Sequence, residues 1–277
     1  MRRLFSSCMV FVFLSMPVLM VGADTTTTAT RMTAAEIVEK NVTARGGLAA
    51  WRGVKTMSMT GKMDAGGNNR PTLPAPNVKK TRAQMPAPRP AEQVQLPFVM
   101  KLDRPRKVRL EVQFNSQTAI QVYDGVNGWK LRPFLNRHEV EPYTAEELKL
   151  ASLQADLDGP LVDYAAKGSK VEVVGMEPVE GHDTYKLKVT TKDGRAQHIW
   201  VDTKTFLEAK MEGNPRSLDG KLHTVDVYFR EYRPVQGLMI PYLLETAVSG
   251  VSSTEKIQIE KVEINPRLDD FLFTKPK

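Results

Sequence analysis

Between Val94 and Phe134 apolar and polar residues alternate through four consecutive segments, and this run constrains the chain more than any other feature. Val94, Leu96, Phe98, Met100 and Leu102 stand against Gln95, Pro97, Val99, Lys101 and Asp103. Val108, Leu110, Val112 and Phe114 stand against Arg109, Glu111 and Gln113. Ile120, Val122, Trp129 and Leu131 stand against Gln121, Tyr123, Lys130 and Arg132. A period of two sends successive side chains to opposite faces, so each segment predicts a half-buried strand. Asp124-Gly125 and Asn127-Gly128 supply residues that tolerate positive φ, which gives a hairpin over Gln117–Phe134. Pro97 cannot donate to a ladder and predicts an edge position or a bulge.

Helices flank this block. Thr33 precedes Glu36 in capping-box spacing, with Ile37, Val38 and Val42 as the apolar stripe and Gly46-Gly47 as the stop; Leu48–Trp51 adds one more turn. Val54–Met63 reads as a strand carrying Met57, Met59 and Met63 on one side. Thr144 and Glu147 repeat the capping box ahead of a helix to Leu153, and Asp158-Gly159-Pro160 predicts a further helix over Leu161, Val162 and Tyr164, ending at Gly168. Asp156 and Asp158 read as capping residues, since the spacing of a calcium loop is missing. From Lys170 onward the pattern is a meander of strands.

Two stretches fall outside this pattern. Arg2 and Arg3 precede an apolar run from Met9 to Met20 that ends in small residues at Val21-Gly22-Ala23, as in a secretory signal peptide spanning 1–23. Cys8, the single cysteine, lies inside it, so the expected mature chain has no thiol, no disulfide and no N-terminal lipid anchor. Residues 64–93 are rich in proline, glycine and basic side chains and predict a long flexible insertion within one domain spanning 24–277. The formal charge of +7 falls to +5 without Arg2 and Arg3, a modest excess that suits weak attraction to anionic head groups. Nucleic acid is not an expected partner, because no basic stripe carries interleaved aromatics.

About ten or eleven strands at ~4.8 Å spacing make a sheet roughly 50 Å wide, which three helices of ~10 Å diameter cannot cover. The predicted fold is therefore mainly β, a single curved antiparallel sheet forming a half-open barrel, with the helices as plug or lid and an apolar cavity between them.

The run KLDRPRKVRLEVQF (Lys101–Phe114) followed by VYDGVNGWKLRPF (Val122–Phe134) resembles the sheet core of the LolA/LolB-type outer-membrane lipoprotein carriers. The ending Asp270-Phe271-Leu272-Phe273-Thr274-Lys275-Pro276 is similar to that family's end, and the order helix, Gly-Gly, strand is similar to outer-membrane lipoprotein-sorting proteins. The resemblance implies a concave face that binds acyl chains, and it matches the carriers' functional arginine with Arg104, in the turn before Pro105. Glu146, Glu147, Asp156 and Asp158 are the expected carboxylates on the lid for that guanidinium.

On this reading Met57, Met59, Phe98, Met100, Leu110, Val112, Ile120, Val122, Trp129 and Leu131 line a lipid-binding cavity, and Arg104 gates it. Methionine suits a surface that repacks around variable cargo. No catalytic residue, metal site or cofactor is expected: the four histidines are scattered, and no nucleophile elbow, phosphate loop or dinucleotide fingerprint occurs. The expected function is a monomeric periplasmic carrier or chaperone for lipoprotein acyl chains or lipid, with an envelope membrane protein as donor or acceptor. The alternative is an envelope sensor using the same cavity, with the 64–93 insertion as its docking element.

Overall fold

The computed structural model describes residues 32–66, 93–133, 137–218 and 220–277. The expected leader and nearly all of the proline-rich insertion lie outside the described residues. Met32–Lys277 forms one compact unit. It begins with helices α1 (Ala34–Ala44) and α2 (Leu48–Gly53), followed by strands β1 (Thr56–Gly66), β2 (Gln93–Asp103), β3 (Lys107–Phe114), β4 (Gln117–Tyr123), β5 (Gly128–Arg132) and β6 (Arg137–Pro142). After helix α3 (Ala145–Gln154) come β7 (Lys170–Val179), β8 (His182–Thr190), β9 (Ala196–Asp202), β10 (Glu208–Glu212), β11 (Arg216–Leu218), β12 (Lys221–His223), β13 (Val225–Val235), β14 (Leu238–Val248) and β15 (Glu255–Ile264). A 3-10 turn at Asp270–Phe273 ends the described fold.

Thirteen strands form one antiparallel sheet in the order β6-β5-β4-β3-β2-β1-β15-β14-β13-β10-β9-β8-β7, and β11 pairs with β12 apart from it. The sheet is not closed, since β6 and β7 are its two edges. This is the expected mainly β architecture with more strands than anticipated. One of these, β6, reads Arg-His-Glu-Val-Glu-Pro and carries Val140 as its only aliphatic residue, so it gave no alternation to detect. Pro97 is on an interior strand, paired with Lys62 of β1, and stands just beyond the last β2–β3 pair, Phe98 with Val112, so it lacks a strand partner on its β3 side only.

Both capping boxes form: Thr33 with Glu36 on α1, and Thr144 with Glu147 on α3. The chain leaves α1 through Gly46 and Gly47, at φ of 113° and 92°. A Cβ on Gly46 would stand 2.3 Å from the Gly237 carbonyl oxygen, so the end of α1 sits directly on the β13–β14 turn.

The helix expected over 158–168 does not form; this stretch is a series of turns. Gly159 and Asp163 take positive φ, which no right-handed helix accommodates, and the Arg52 guanidinium grips the Asp163 carboxylate through two hydrogen bonds of 2.8 and 2.6 Å. Leu161 and Val162 are nonetheless fully buried, so the segment acts as a plug without being helical.

Candidate functional site

Residues directly opposite each other on paired strands share a face of the sheet. Met57 faces Leu102 and Met59 faces Met100. Leu102 in turn faces Val108, Met100 faces Leu110, and Phe98 faces Val112. On the other side of β1, Met59 faces Val262 and Met63 faces Ile257, which faces Leu244. These residues make one continuous inner face. Helices α1 and α2 and the 156–168 plug pack part of it, so that Ile37, Val38, Trp51, Leu161 and Val162 share a core with Leu187, Val189, Ile199, Val201 and Leu238. Met59, Met63, Met100, Leu110, Val112, Leu244 and Ile257 belong to the same face but stay half-buried.

Six of the ten residues predicted to line the cavity lie on this face: Met57, Met59, Phe98, Met100, Leu110 and Val112. The structure places Ile120, Val122, Trp129 and Leu131 on the other side of the sheet. Ile120 is opposite Glu111, and Val122 is opposite Arg109. Leu131 and Trp129 then follow Ile120 and Val122 across the next pair. The cause is the Asn115-Ser116 turn, whose two residues take φ of 47° and 61° and pair Phe114 with Gln117. A two-residue loop joins an even position to an odd one, so the even, apolar set of β3 cannot share a face with the even, apolar set of β4. Val122 is 0% exposed on the outer side, where the C-terminal turn crosses. Arg109 donates to the Leu272 carbonyl at 3.0 Å, Lys107 reaches Asp270 at 2.9 Å, and Phe273 is buried.

Met63 and Leu96, read on the same strand faces as Met59 and Phe98 but left out of the predicted lining, lie there too, and Leu244 and Ile257 were missed on the inner face. The signal that could have found them is residue counting across each turn, applied strand by strand.

Arg104 sits where the inner face meets the plug. Its Nε donates to the Val54 carbonyl at 2.5 Å, and its Nη2 donates to the Trp51 carbonyl at 2.9 Å and to the Asp158 carboxylate at 2.8 Å. Of the four carboxylates expected for it, Asp158 is the partner. Glu147 instead caps α3 and binds Lys130 at 2.5 Å, and Asp156 is taken by Lys167 at 2.8 Å. Lys167 also donates to Asp158 at 2.9 Å and to the Gly159 carbonyl at 2.6 Å. Arg45 reaches the Asp158 carbonyl at 2.9 Å and Glu208 at 3.2 Å, and its guanidinium lies 4.3 Å from the Trp51 ring centre. Neither aspartate is a helix cap.

Burial pushes the Asp158 carboxyl up, but the hydrogen bonds from Arg104 and Asp156 and the charge of Lys167 outweigh it and hold the group at about 2. Asp156 goes the other way: its burial, with Asp158 beside it, raises its pKa against the pull of Lys167.

A cleft of about 1150 Å³ opens between the plug and the connections at 191–197 and 210–226. None of the ten predicted residues lines it. It meets the inner face at Met211, which lies opposite Ile199 and Val227. Among the described residues no cluster of histidines, cysteines and carboxylates could hold a metal. His198 pairs with Glu212 at 2.8 Å on the outer side, beside Trp200.

No family model matches the sequence. No curated protein matches it either. Solved structures do. A LolA superfamily protein from Nitrosomonas europaea superposes with a TM-score of 0.54 at 14% identity, over 88% of this chain and 98% of that one. A DUF1329 family protein from Desulfovibrio piger gives 0.53 at 14%, over 87% and 97%. A putative outer membrane lipoprotein-sorting protein domain from Vibrio parahaemolyticus gives 0.51 at 11%, over 87% and 96%. At such identities the likeness is one of fold, and this chain shares the fold of these three structures.

Proposed function

We propose that this protein is a carrier of the bacterial cell envelope that shields acyl chains of a lipoprotein or lipid on the inner face of its sheet. The observation that carries the reading is the half-buried row Met59, Met63, Met100, Leu110, Val112, Leu244 and Ile257, apolar side chains that pack against the core on the plugged side of the sheet and are only partly covered there. Each methylene removed from water is worth ~0.8 kcal/mol, so a sixteen-carbon chain needs roughly 12 kcal/mol of shelter to cross an aqueous compartment. Unbranched methionines on three of those seven positions suit a surface that repacks around cargo.

The fold shared with a lipoprotein-sorting domain supports the same reading, as does the leader-like start of the sequence. In this account the compartment is the periplasm, no chemistry is performed on the cargo, and Arg104 gates access by holding the plug through Asp158. Extraction of the purified protein for lipid mass spectrometry, paired with titration of a fluorescent acyl probe, tests it. Bound lipid and saturable uptake are expected; absence of both counts against the carrier.

A further inference from the structure

The inner face does not stay apolar to its edge. Because β4 and β5 pair Gln121 with Lys130, and Gln121 lies opposite Leu110, the side chains that β5 turns inward are Lys130 and, two residues on, Arg132. Trp129 and Leu131, the apolar residues of the same strand, point outward. A single row therefore runs from Met59 through Met100 and Leu110 to Gln121 and Lys130, about 20 Å across four strand spacings, and on to Glu141 of the edge strand, apolar at one end and charged at the other.

The charged end is built, and its two cations are incompletely satisfied. Lys130 is held by Glu147 at 2.5 Å and lies 3.9 Å from Glu141, while the Nη2 of Arg132 donates to Glu141 at 2.8 Å. The two side chains are only 12% and 25% exposed. The Nε of Arg132 is buried and finds no acceptor among the described residues. A buried donor left unmade is costly. Nε also shares with Nη2 the edge of the guanidinium fork that grips two oxygens of one oxyanion, and here only half of that edge is used. Gln121, beside Lys130, is exposed, so the inner face is open next to the pair.

We propose that the cargo is an anionic amphiphile whose oxyanion head group docks on Lys130 and Arg132, filling the empty Nε position, while its acyl chain lies along Leu110, Met100 and Met59. This rests on the reading that acyl chains occupy the inner face, and it adds the head-group class and the direction in which the ligand lies.

The test is calorimetric titration of the full chain with three probes: dodecyl phosphate and dodecyl maltoside, each below its micelle concentration, and inorganic phosphate. Dodecyl phosphate should bind about tenfold or more tighter than the maltoside, the size expected for one charged hydrogen-bonded contact. Arg132→Gln should erase that preference while leaving maltoside binding unchanged. Glu141→Gln, which removes the competing carboxylate, should strengthen phosphate-probe binding, and it decides the matter if Arg132→Gln does not fold. Equal affinity of the two dodecyl probes for the unmodified protein overturns the head-group assignment and leaves the carrier reading standing. Inorganic phosphate binding as tightly as dodecyl phosphate overturns it too, by assigning the pair to a small anion. Failure of every dodecyl probe to bind overturns the carrier reading along with it.

Discussion

The Arg104 guanidinium and the Asp158 carboxylate meet at 2.8 Å with Asp158 only 3% exposed, joining the β2–β3 turn to the start of the plug. The same guanidinium holds the carbonyls of Trp51 and Val54 at the end of α2, so three chain segments converge on one side chain. Replacing it by leucine removes a donor from the Val54 carbonyl, leaves the Trp51 carbonyl with the Val54 N–H alone, and leaves Asp158 with Lys167 as its remaining cation.

Arg104→Leu is therefore expected to cost about 2–3 kcal/mol of stability, below the usual cost of breaking a fully buried pair because Arg104 is 31% exposed. If the latch also gates cargo, transfer of a bound acyl probe to acceptor vesicles changes rate by more than the stability loss explains. Urea denaturation and the transfer assay, run side by side, separate the two effects. A transfer rate that follows stability alone makes Arg104 a structural latch only.

Acid unfolding should carry the signature of the aspartate pair. Asp158 has its folded pKa lowered from 3.8 to about 2, so its contribution, about 2 kcal/mol, is complete above the unfolded value and vanishes as pH falls through about 2. Asp156 has a raised pKa and acts with the opposite sign, adding stability as it takes up its proton. Between pH 6 and pH 2, Asp158→Asn should flatten the loss of stability, whereas Asp156→Asn should steepen it. Urea midpoints of the three proteins at both pH values check this; slopes moving in the same direction contradict it.

Gly128 is expected to be intolerant for a reason other than turn geometry. Gly125 takes the positive φ of the β4–β5 turn, at 104°, and Gly128 does not. A Cβ on Gly128 would instead stand 1.9 Å from Cδ2 of Tyr143, whose ring packs against it ahead of α3. Gly128→Ala should displace that ring and cost about 1–3 kcal/mol, read as a lowered Tm. An unchanged Tm would mean that Tyr143 moves aside without loss.

Most of the architecture was legible in the sequence, and the failures share one physical origin. Strand positions followed from alternation, and both helix starts from Thr33/Glu36 and Thr144/Glu147, because these signals are local. The face on which a strand's apolar set falls is not local. It depends on whether the preceding turn holds an even or an odd number of residues, and the two residues Asn115 and Ser116 sent Ile120, Val122, Trp129 and Leu131 outward. The inward Lys130 and Arg132 were hidden by the same shift. The 158–168 plug was misread because Asp-Gly-Pro resembles a helix start, whereas Asp158 is consumed by Arg104 and Lys167, and Asp163 is held in a left-handed conformation.

The outer side offers an independent check of the register. Phe273 is 2% exposed and lies beneath Lys107, whose ammonium sits 5.6 Å from the ring centre. Phe273→Ala should destabilise by about 3 kcal/mol, the low end for a buried aromatic, and leave acyl-probe affinity unchanged because the ring lies on the far side from the inner face. A loss of probe binding in a protein that remains folded would place the C-terminal turn on the cargo side and contradict the assigned faces.

The most direct test of the central claim is acyl-probe titration of two glutamate variants, Met100→Glu on the inner face and Ile120→Glu on the outer, with folding checked by circular dichroism. Both residues are half-buried in one block of strands, Met100 on β2 and Ile120 on β4 with β3 between them, and they lie on opposite faces. The account predicts that Met100→Glu stays folded and loses the probe, while Ile120→Glu binds it as the unmodified protein does. Unfolding of Met100→Glu would show the inner face to be a closed core, and loss of the probe from Ile120→Glu alone would put the cargo on the opposite side of the sheet; either result contradicts the account.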